Sequence, residues 1–566
     1  MELNAVTRSV NDIFSLNKKY LVPRFQREYS WSSEEVEEFW DDISSKITTV
    51  NGVAKNEEYF IGCIVLVGED AKFEYQIVDG QQRLTTLTIL IRAIVDRLQN
   101  IGEPTAATAL HSNVIEGVDN DGNKYFKLVN ETPKPYFQNE VQAATPVGIS
   151  TAITEEEQLL MAAYNLFKKR ISSFAAPQHS PKESIRLLRD QVLNYLKFIL
   201  VTAKSEDDAY TIFETLNARG LGLSSVDLIK NWIFKNHTST HPNDNAKEIW
   251  AQIRKELSPF VDINTFFRHY WNSKYSFASD DRLYKSFRDF VKNGQIATAL
   301  DFLKELKFAS ILYRKIGAPR DSDWPVQKEK TIFKSLALIN QYKVTQVRPF
   351  LLALLECHHK KKINQTDLIK AIVSLERFHF LFSTICQDRA SGLEGKYTRA
   401  AKNLHLAPNK QEAKLVLKGL LEYLETKRPK ESRVEESISK LVFNNTFDGD
   451  KRAIQTIFYK LESHLGKTNE LIANSFSLEH IDDQSNGSHW HGGLGNLLPL
   501  AEEINNMIGK NKTFKQKKLS YKKSSFKTVD SFLKLNPQDD WTEAHSLAWL
   551  SFISSELYKA TALMSI

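Results

Sequence analysis

At 566 residues the chain is too long for a single hydrophobic core, and roughly two to four domains are expected. Hydrophobic content of 42% and charged content of 25% are those of an ordinary globular protein, and no apolar run reaches the ~18 residues of a membrane span. A net charge of +6 is mildly basic, so the position of the lysines carries more information than their number.

The chain begins MELNAVTRSVNDIF, without the basic start and apolar stretch of a signal peptide. Its three cysteines (Cys63, Cys357, Cys386) are too far apart for a disulfide framework or a tetrathiolate zinc site, so a reducing cytoplasm is expected. Residues 34–43 (EEVEEFWDDI) predict an amphipathic helix with Val36, Phe39, Trp40 and Ile43 on one face. YFIGCIVLV (59–67) and FEYQIV (73–78) predict strands, and 81–99 a helix carrying Leu84, Leu87, Ile91, Ile94, Val95 and Leu98. Residues 102–150, rich in Gly, Pro, Asn and Thr, read as a surface excursion. From about 155 to 236, and again from about 245 to 440, the apolar period is helical. The second stretch has aromatic faces such as Phe266, Phe267, Tyr270 and Trp271. The run CHHKKK (357–362) reads as the polar end of a helix, since adjacent side chains on one helix point in different directions. KRPKESRVEES reads as a polar linker. The expected domains are 1–236, 237–440 and 441–566.

Two constellations carry chemistry. In SLEHIDDQSNGSHWHGGLGNLLPLAEEINN (477–506), Glu479 and His480 precede Asn496, and Asn505 follows on a predicted helix. A carboxylate beside a histidine, with two carboxamides at this spacing, can assemble a one-metal phosphodiesterase site. The bland reading is a surface Glu-His pair with one asparagine capping a helix. Asp482-Asp483 offers a further ligand, and His489 and His491 read either as metal ligands or as a polar loop around a packed Trp490. Lys510, Lys512, Lys515, Lys517, Lys518, Lys522, Lys523 and Lys527 follow, interleaved with Phe514, Tyr521 and Phe526. Lysines pair with phosphate without sequence preference, which predicts salt-sensitive DNA binding. Aromatics packed inward and lysines facing solvent is the compatible structural reading.

The second constellation lies in the front third: VPRFQREYSW (22–31), FIGCIVLV (60–67) and IVDGQQRLTTL (77–87). The last sets Asp79, Gly80, Gln81, Gln82 and Arg83 at a strand-to-helix junction, where free N–H groups meet an arginine and can cradle a phosphate. Asp79 with Gln82 also has the form of a capping box. Trp31 reads as packing beneath its loop.

The first constellation resembles the HNH (ββα-metal) nucleases. The resemblance makes His480 the general base, Asn496 the group that holds its ring, and Glu479 and Asn505 the ligands of Mg²⁺ or Mn²⁺. The chain departs from that pattern in having Asp482-Asp483 where proline is usual. The three front phrases, with FETLNARGLGLSSVDLIKN (213–231), resemble the ParB/sulfiredoxin-like domain of GmrSD-type modification-dependent restriction proteins. That resemblance implies nucleoside triphosphate (GTP or ATP) binding and hydrolysis at Asp79, Gly80, Gln81, Gln82 and Arg83, with Arg27, Asn217, Arg219 and Gly220 completing the pocket. Arg24, Gln26 and Arg27 become phosphate or DNA contacts, while Asp227 and Lys230 read equally as a helical charge pair.

The expected fold is α+β and predominantly α-helical, with an N-terminal ParB-like α/β domain, a helical middle and a C-terminal HNH domain. The expected function is antiviral restriction of double-stranded, modified phage DNA by an NTP-regulated, metal-dependent endonuclease or nickase. Cutting both strands would take a homodimer or sequential nicks. The alternatives are a nucleotide-dependent DNA-binding regulator with an inactive nuclease domain, and an RNA-directed toxin.

Overall fold

The computed structural model describes residues 3–566 apart from 25, 27, 70–71, 149–153, 177–178, 206–208, 210–223, 238–244, 297, 390, 445, 467–475, 484–488 and 509–511. Two compact units result, Met1–Thr238 and Ser239–Ile566. The chain is predominantly helical with a small mixed sheet near its start.

In the first unit the strands are β1 (Leu3–Ser9), β2 (Lys19–Val22), β3 (Ile47–Val50), β4 (Val53–Asn56), β5 (Tyr59–Val67), β6 (Glu74–Asp79), β7 (Glu116–Val118), β8 (Lys124–Phe126), β9 (Leu128–Asn130) and β10 (Leu196–Ala203). Six of them form one sheet in the order β1-β10-β5-β6-β2-β9, and β3-β4 and β7-β8 are separate ribbons. The pairs β10-β5, β6-β2 and β2-β9 are parallel, whereas β1-β10 and β5-β6 are antiparallel. The β-branched run of β5 suits a strand covered on both faces. Ile64 and Leu66 enter the main core, while Val65 joins Val78, Val201 and Ala203 in a second cluster.

Helix Gln81–Asn100 buries its whole predicted stripe and also Thr85, Thr86, Ile89, Leu90 and Ala93. It is wrapped by helices Pro104–Leu110, Glu155–Ser173 and Pro181–Asp190. Truncating its fully buried Leu87 to alanine would cost about 2–5 kcal/mol. Helix Ser33–Ser44 starts at a Ser32/Glu35 capping box and buries Val36, Phe39, Trp40 and Ile43 as predicted.

Two expectations fail in this unit. Residues 102–150 are no surface excursion, because β9 forms an edge of the main sheet and Leu128, Phe137 and Val141 lie in the core. Turn-forming composition there masks a few core residues. The stretch 155–236 is not wholly helical either, since Leu196–Ala203 is a strand between β1 and β5. A short apolar run such as LKFILVTA cannot be told from a helical segment by periodicity.

The second unit is helical, with Phe266, Phe267, Tyr270 and Trp271 buried on helix Ile263–Lys274. The polar stretch near 430–445 is not a linker: helix Glu431–Ile438 sends Val434 and Ile438 into a core shared with Phe380, Leu381, Ile385 and residues 454–557. The expected boundary near 440 therefore falls inside this unit. The Lys460 ammonium lies 2.8 Å from both carboxylate oxygens of the buried Glu376, which also accepts from the Tyr342 hydroxyl at 2.8 Å. Strands β11 (Ser477–His480) and β12 (Leu497–Leu500) form an antiparallel ribbon, and helix Glu502–Ile508 follows and packs on β11. No helix among the described residues is long and apolar enough to cross a membrane.

Candidate active sites

Ribbon β11-β12 and the helix after it place strand, strand and helix in the order the C-terminal motif demands. His480 pairs with Leu497 and Glu479 with Leu498 in the ribbon. As neighbours in a strand they leave it on opposite faces.

His480 lies flat on Phe443, with ring centroids 5.7 Å apart and planes 14° from parallel. Its Nε2 is 2.8 Å from the Phe443 carbonyl oxygen. A carbonyl only accepts, so Nε2 carries the proton and the neutral ring keeps its lone pair on Nδ1. Burial, partly opposed by the bond to Phe443 and by Glu479, holds the imidazole below its ordinary pKa. The ring is thereby kept in its basic form.

Asn496 does not hold that ring, contrary to expectation. It is fully buried, and its Oδ1 accepts from the Asp482 backbone N–H at 2.9 Å and the Trp541 indole at 3.0 Å. Its Nδ2 donates to the carbonyls of Asp482 and His491 at 2.9 and 2.8 Å. With its hydrogen bonds spent on the 481–496 loop, it is a staple rather than a reacting group.

The carboxylate of Glu479 accepts from Lys517 Nζ at 2.8 Å and from the Tyr521 hydroxyl at 3.4 Å. Lys517 also reaches the His480 carbonyl at 2.6 Å. This lysine is buried and is no DNA contact. Phe514, Lys517 and Tyr521 form the inward face of helix Phe514–Tyr521, a spacing of three and four that could have revealed it. Lys518 is also engaged, donating to the carbonyls of Asn536, Pro537 and Gln538, and the exposed Lys515 pairs with Asp539 at 2.7 Å. Lys512, Lys522 and Lys523 are exposed, while Lys510 lies outside the described residues.

Asn505 sits on the helix packed against β11, and its Oδ1 is buried with no hydrogen-bond partner among the described residues. An orphaned carboxamide oxygen is a donor that a hard cation satisfies, and Glu479 supplies a carboxylate from β11. Both are hard oxygen donors of the kind Mg²⁺ or Mn²⁺ takes, and the Lys517 ammonium already stands against Glu479. Asp482 is 3.0 Å from His491 Nε2, and His491 stacks on Trp490 at 4.0 Å, so these form a loop network. The side chain of His489 lies outside the described residues.

In the first unit, β6 ends at Asp79 and helix Gln81–Asn100 begins after Gly80, whose φ of 95° favours glycine. A Cβ there would stand 2.8 Å from Ile64 Cγ1. Gly80 is the N-cap and has no side chain to cap the helix, and Gln82, which would close the Asp79/Gln82 capping box, bonds elsewhere. Arg83 donates to the Cys63 carbonyl at 3.0 Å, lies 4.0 Å from the Asp79 carboxylate and crosses over Gly62, keeping about a third of its surface exposed.

Two of the three glutamines expected at ligands, Gln82 and Gln26, are structural. Gln82 accepts from Ser30 N at 3.1 Å and donates to the Glu28 carbonyl at 3.0 Å. Gln26 donates to the carbonyls of Ile77 and Val78. Both are buried and tie the 23–31 loop to β6 and its helix. Gln81 is buried as well, and Trp31 packs edge-on against Phe39. The Arg24 backbone N–H donates to Glu131 at 2.7 Å. Asp227 closes a capping box with Ser224, and Lys230 stands over the Phe234 ring. Arg27, Asn217, Arg219 and Gly220 lie outside the described residues.

The family model for the GmrSD restriction endonuclease N-terminal domain matches residues 10–234, and that for the GmrSD restriction endonuclease C-terminal domain matches residues 428–548. Together they cover more than half of the chain. It belongs to the GmrSD restriction endonuclease family. The C-terminal match begins just before helix Glu431–Ile438 and includes Phe443, Glu479, His480, Asn496, Asn505 and Lys517. The N-terminal match takes in the whole β6–Gly80–helix junction. Membership makes the protein a restriction endonuclease with DNA as its partner. No curated protein matches the chain.

Proposed function

We propose that this endonuclease hydrolyses the phosphodiester backbone of double-stranded DNA in an HNH-type, metal-assisted reaction, with His480 as general base. The observation that carries the reading is the bond from His480 Nε2 to the Phe443 carbonyl, which leaves Nδ1 to take a proton from the attacking water. Glu479 and Asn505 would hold Mg²⁺ or Mn²⁺. Once bound, such a cation offsets the charge that develops on the phosphate and the leaving oxygen. Phe443 orients the imidazole by stacking and by its carbonyl, and Asn496 keeps the loop beyond β11 in register. The test is supercoiled plasmid incubated with Mg²⁺ or Mn²⁺: the wild type nicks or linearises it and His480→Ala does not. Cutting that survives the substitution overturns the assignment.

We further propose that the helix N-terminus at Gly80, with Asp79 and Arg83, binds nucleoside triphosphate and that its hydrolysis regulates cutting. Asp79→Ala is expected to abolish phosphate release while circular dichroism stays unchanged; unaltered hydrolysis refutes it. The family's restriction role supports DNA modification as the property that selects the target, testable by comparing modified with unmodified phage DNA.

The ion pair of Lys517 with Glu479 favours one second reading, a nucleotide-dependent DNA-binding regulator whose nuclease site is blocked. A protein that binds the plasmid but leaves it intact with either cation would establish that reading instead.

A further inference from the structure

Within the second unit a groove of about 700 Å³ is lined by helices Lys330–Gln341 and Lys451–Gly466. A recess of about 300 Å³ shares Gln327, Lys330, Lys334, Leu338 and Tyr459 with it. None of the residues assigned above lines either cavity, although Phe476 of the groove directly precedes strand β11. Helix Lys330–Gln341 belongs to the stretch that neither family model covers.

The groove's lining combines three kinds of group. Its cations are Lys330, Lys334 and Arg452 against one carboxylate, Asp321, which Lys330 neutralises. Lys334 and Arg452 are left without an ion partner among the described residues. Phe333, Tyr459 and Phe476 bring aromatic rings, and Gln455 contributes a carboxamide whose hydrogen bonds are not taken within the described chain. Cations select phosphate, rings stack on a flat π-face, and a carboxamide reads the donor and acceptor edge of a base. A volume of this size suits a ligand of nucleotide dimensions.

We propose that this groove binds one nucleotide unit, an aromatic base with its phosphate. Lys334 and Arg452 meet the phosphate, the rings stack on the base, and Gln455 addresses its edge. The unit is supplied either as a free nucleotide or as a nucleotide turned out of a DNA duplex, at the cost of a few kcal/mol of unstacking. The groove thereby gives helix Lys330–Gln341, together with helix Lys451–Gly466 of the C-terminal match, a recognition role independent of the assignments at His480 and Asp79.

The test uses the full chain in EDTA, so that no DNA is cut. One arm titrates the four deoxynucleoside monophosphates by calorimetry, with inorganic phosphate as control. The other measures fluorescence anisotropy with a duplex carrying one unpaired base and with its fully paired counterpart. Each is repeated with Lys334→Glu/Arg452→Glu and with Gln455→Leu; Arg452 is exposed and Gln455→Leu keeps side-chain bulk, and near-UV circular dichroism checks the fold. The double variant is expected to weaken the bound ligand at least tenfold and Gln455→Leu at least threefold. Loss in the first arm identifies free nucleotide, and loss confined to the unpaired-base duplex identifies a nucleotide within DNA. The proposal is overturned if both variants change every affinity less than twofold, if phosphate binds as tightly as nucleotide, or if mononucleotide binding is unchanged and paired and unpaired duplexes lose equally.

Discussion

The Lys517 ammonium stands 2.8 Å from the Glu479 carboxylate, and both side chains are largely buried. A cation from the protein thus sits against the carboxylate proposed to bind one from solution. Removing one partner of such a pair leaves the other charge buried, at a cost of about 3–5 kcal/mol. Lys517→Met is therefore expected to lower the melting temperature without metal, and added Mg²⁺ should raise it more than in the wild type. An equal Mg²⁺ response in the two proteins would count against competition at Glu479.

Asn496 makes four hydrogen bonds from a fully buried carboxamide. Asn496→Ala should lower stability by about 2–4 kcal/mol and abolish cleavage, because buried loop donors and acceptors lose their partners. Asn496→Asp keeps the acceptor for Asp482 N–H and Trp541 but turns a buried carboxylate oxygen on the Asp482 and His491 carbonyls, and should cost at least as much. Urea melts followed by Trp fluorescence provide the check; a neutral Asn496→Ala would remove the staple assignment.

The lysines divide by environment. Lys522 and Lys523 are exposed without a partner among the described residues, and each phosphate contact contributes about 0.9 to the salt slope of DNA affinity. Lys522→Ala/Lys523→Ala is expected to flatten the plot of log affinity against log salt by about 1.8, with the melting temperature unchanged. An unaltered slope would place the DNA elsewhere.

Three histidines of the second unit, the buried His269 and His379 and the half-buried His405, have pKa values pushed down to about 3, chiefly by desolvation. Unfolded imidazoles take up a proton below about 6.5, whereas these stay neutral in the fold until far lower pH. The stability they contribute is present above pH 6.5 and is lost as pH falls toward 3, with a slope of up to about 4 kcal/mol per pH unit. Urea midpoints should drop between pH 7 and pH 5, and His379→Gln should reduce the slope by about a third. Midpoints that do not move between those two values would contradict this.

The sequence by itself determined the stripe of helix Gln81–Asn100, the span of β5, the strand-to-helix junction at Gly80 and the order Glu479, His480, Asn496, Asn505. These are legible because apolar period and local spacing are properties of neighbouring residues. Only the tertiary structure decided that Leu196–Ala203 inserts between β1 and β5, and that Val434 and Ile438 anchor an apparently polar linker. It likewise decided that Gln26, Gln82, Asn496 and Lys517 face inward to backbone or carboxylate partners. A polar side chain written in a motif looks the same whether it awaits a ligand or is already satisfied. Which of the two holds depends on groups brought up from elsewhere in the chain, such as the Phe443 carbonyl that fixes the proton on His480, and residue order does not encode that contact.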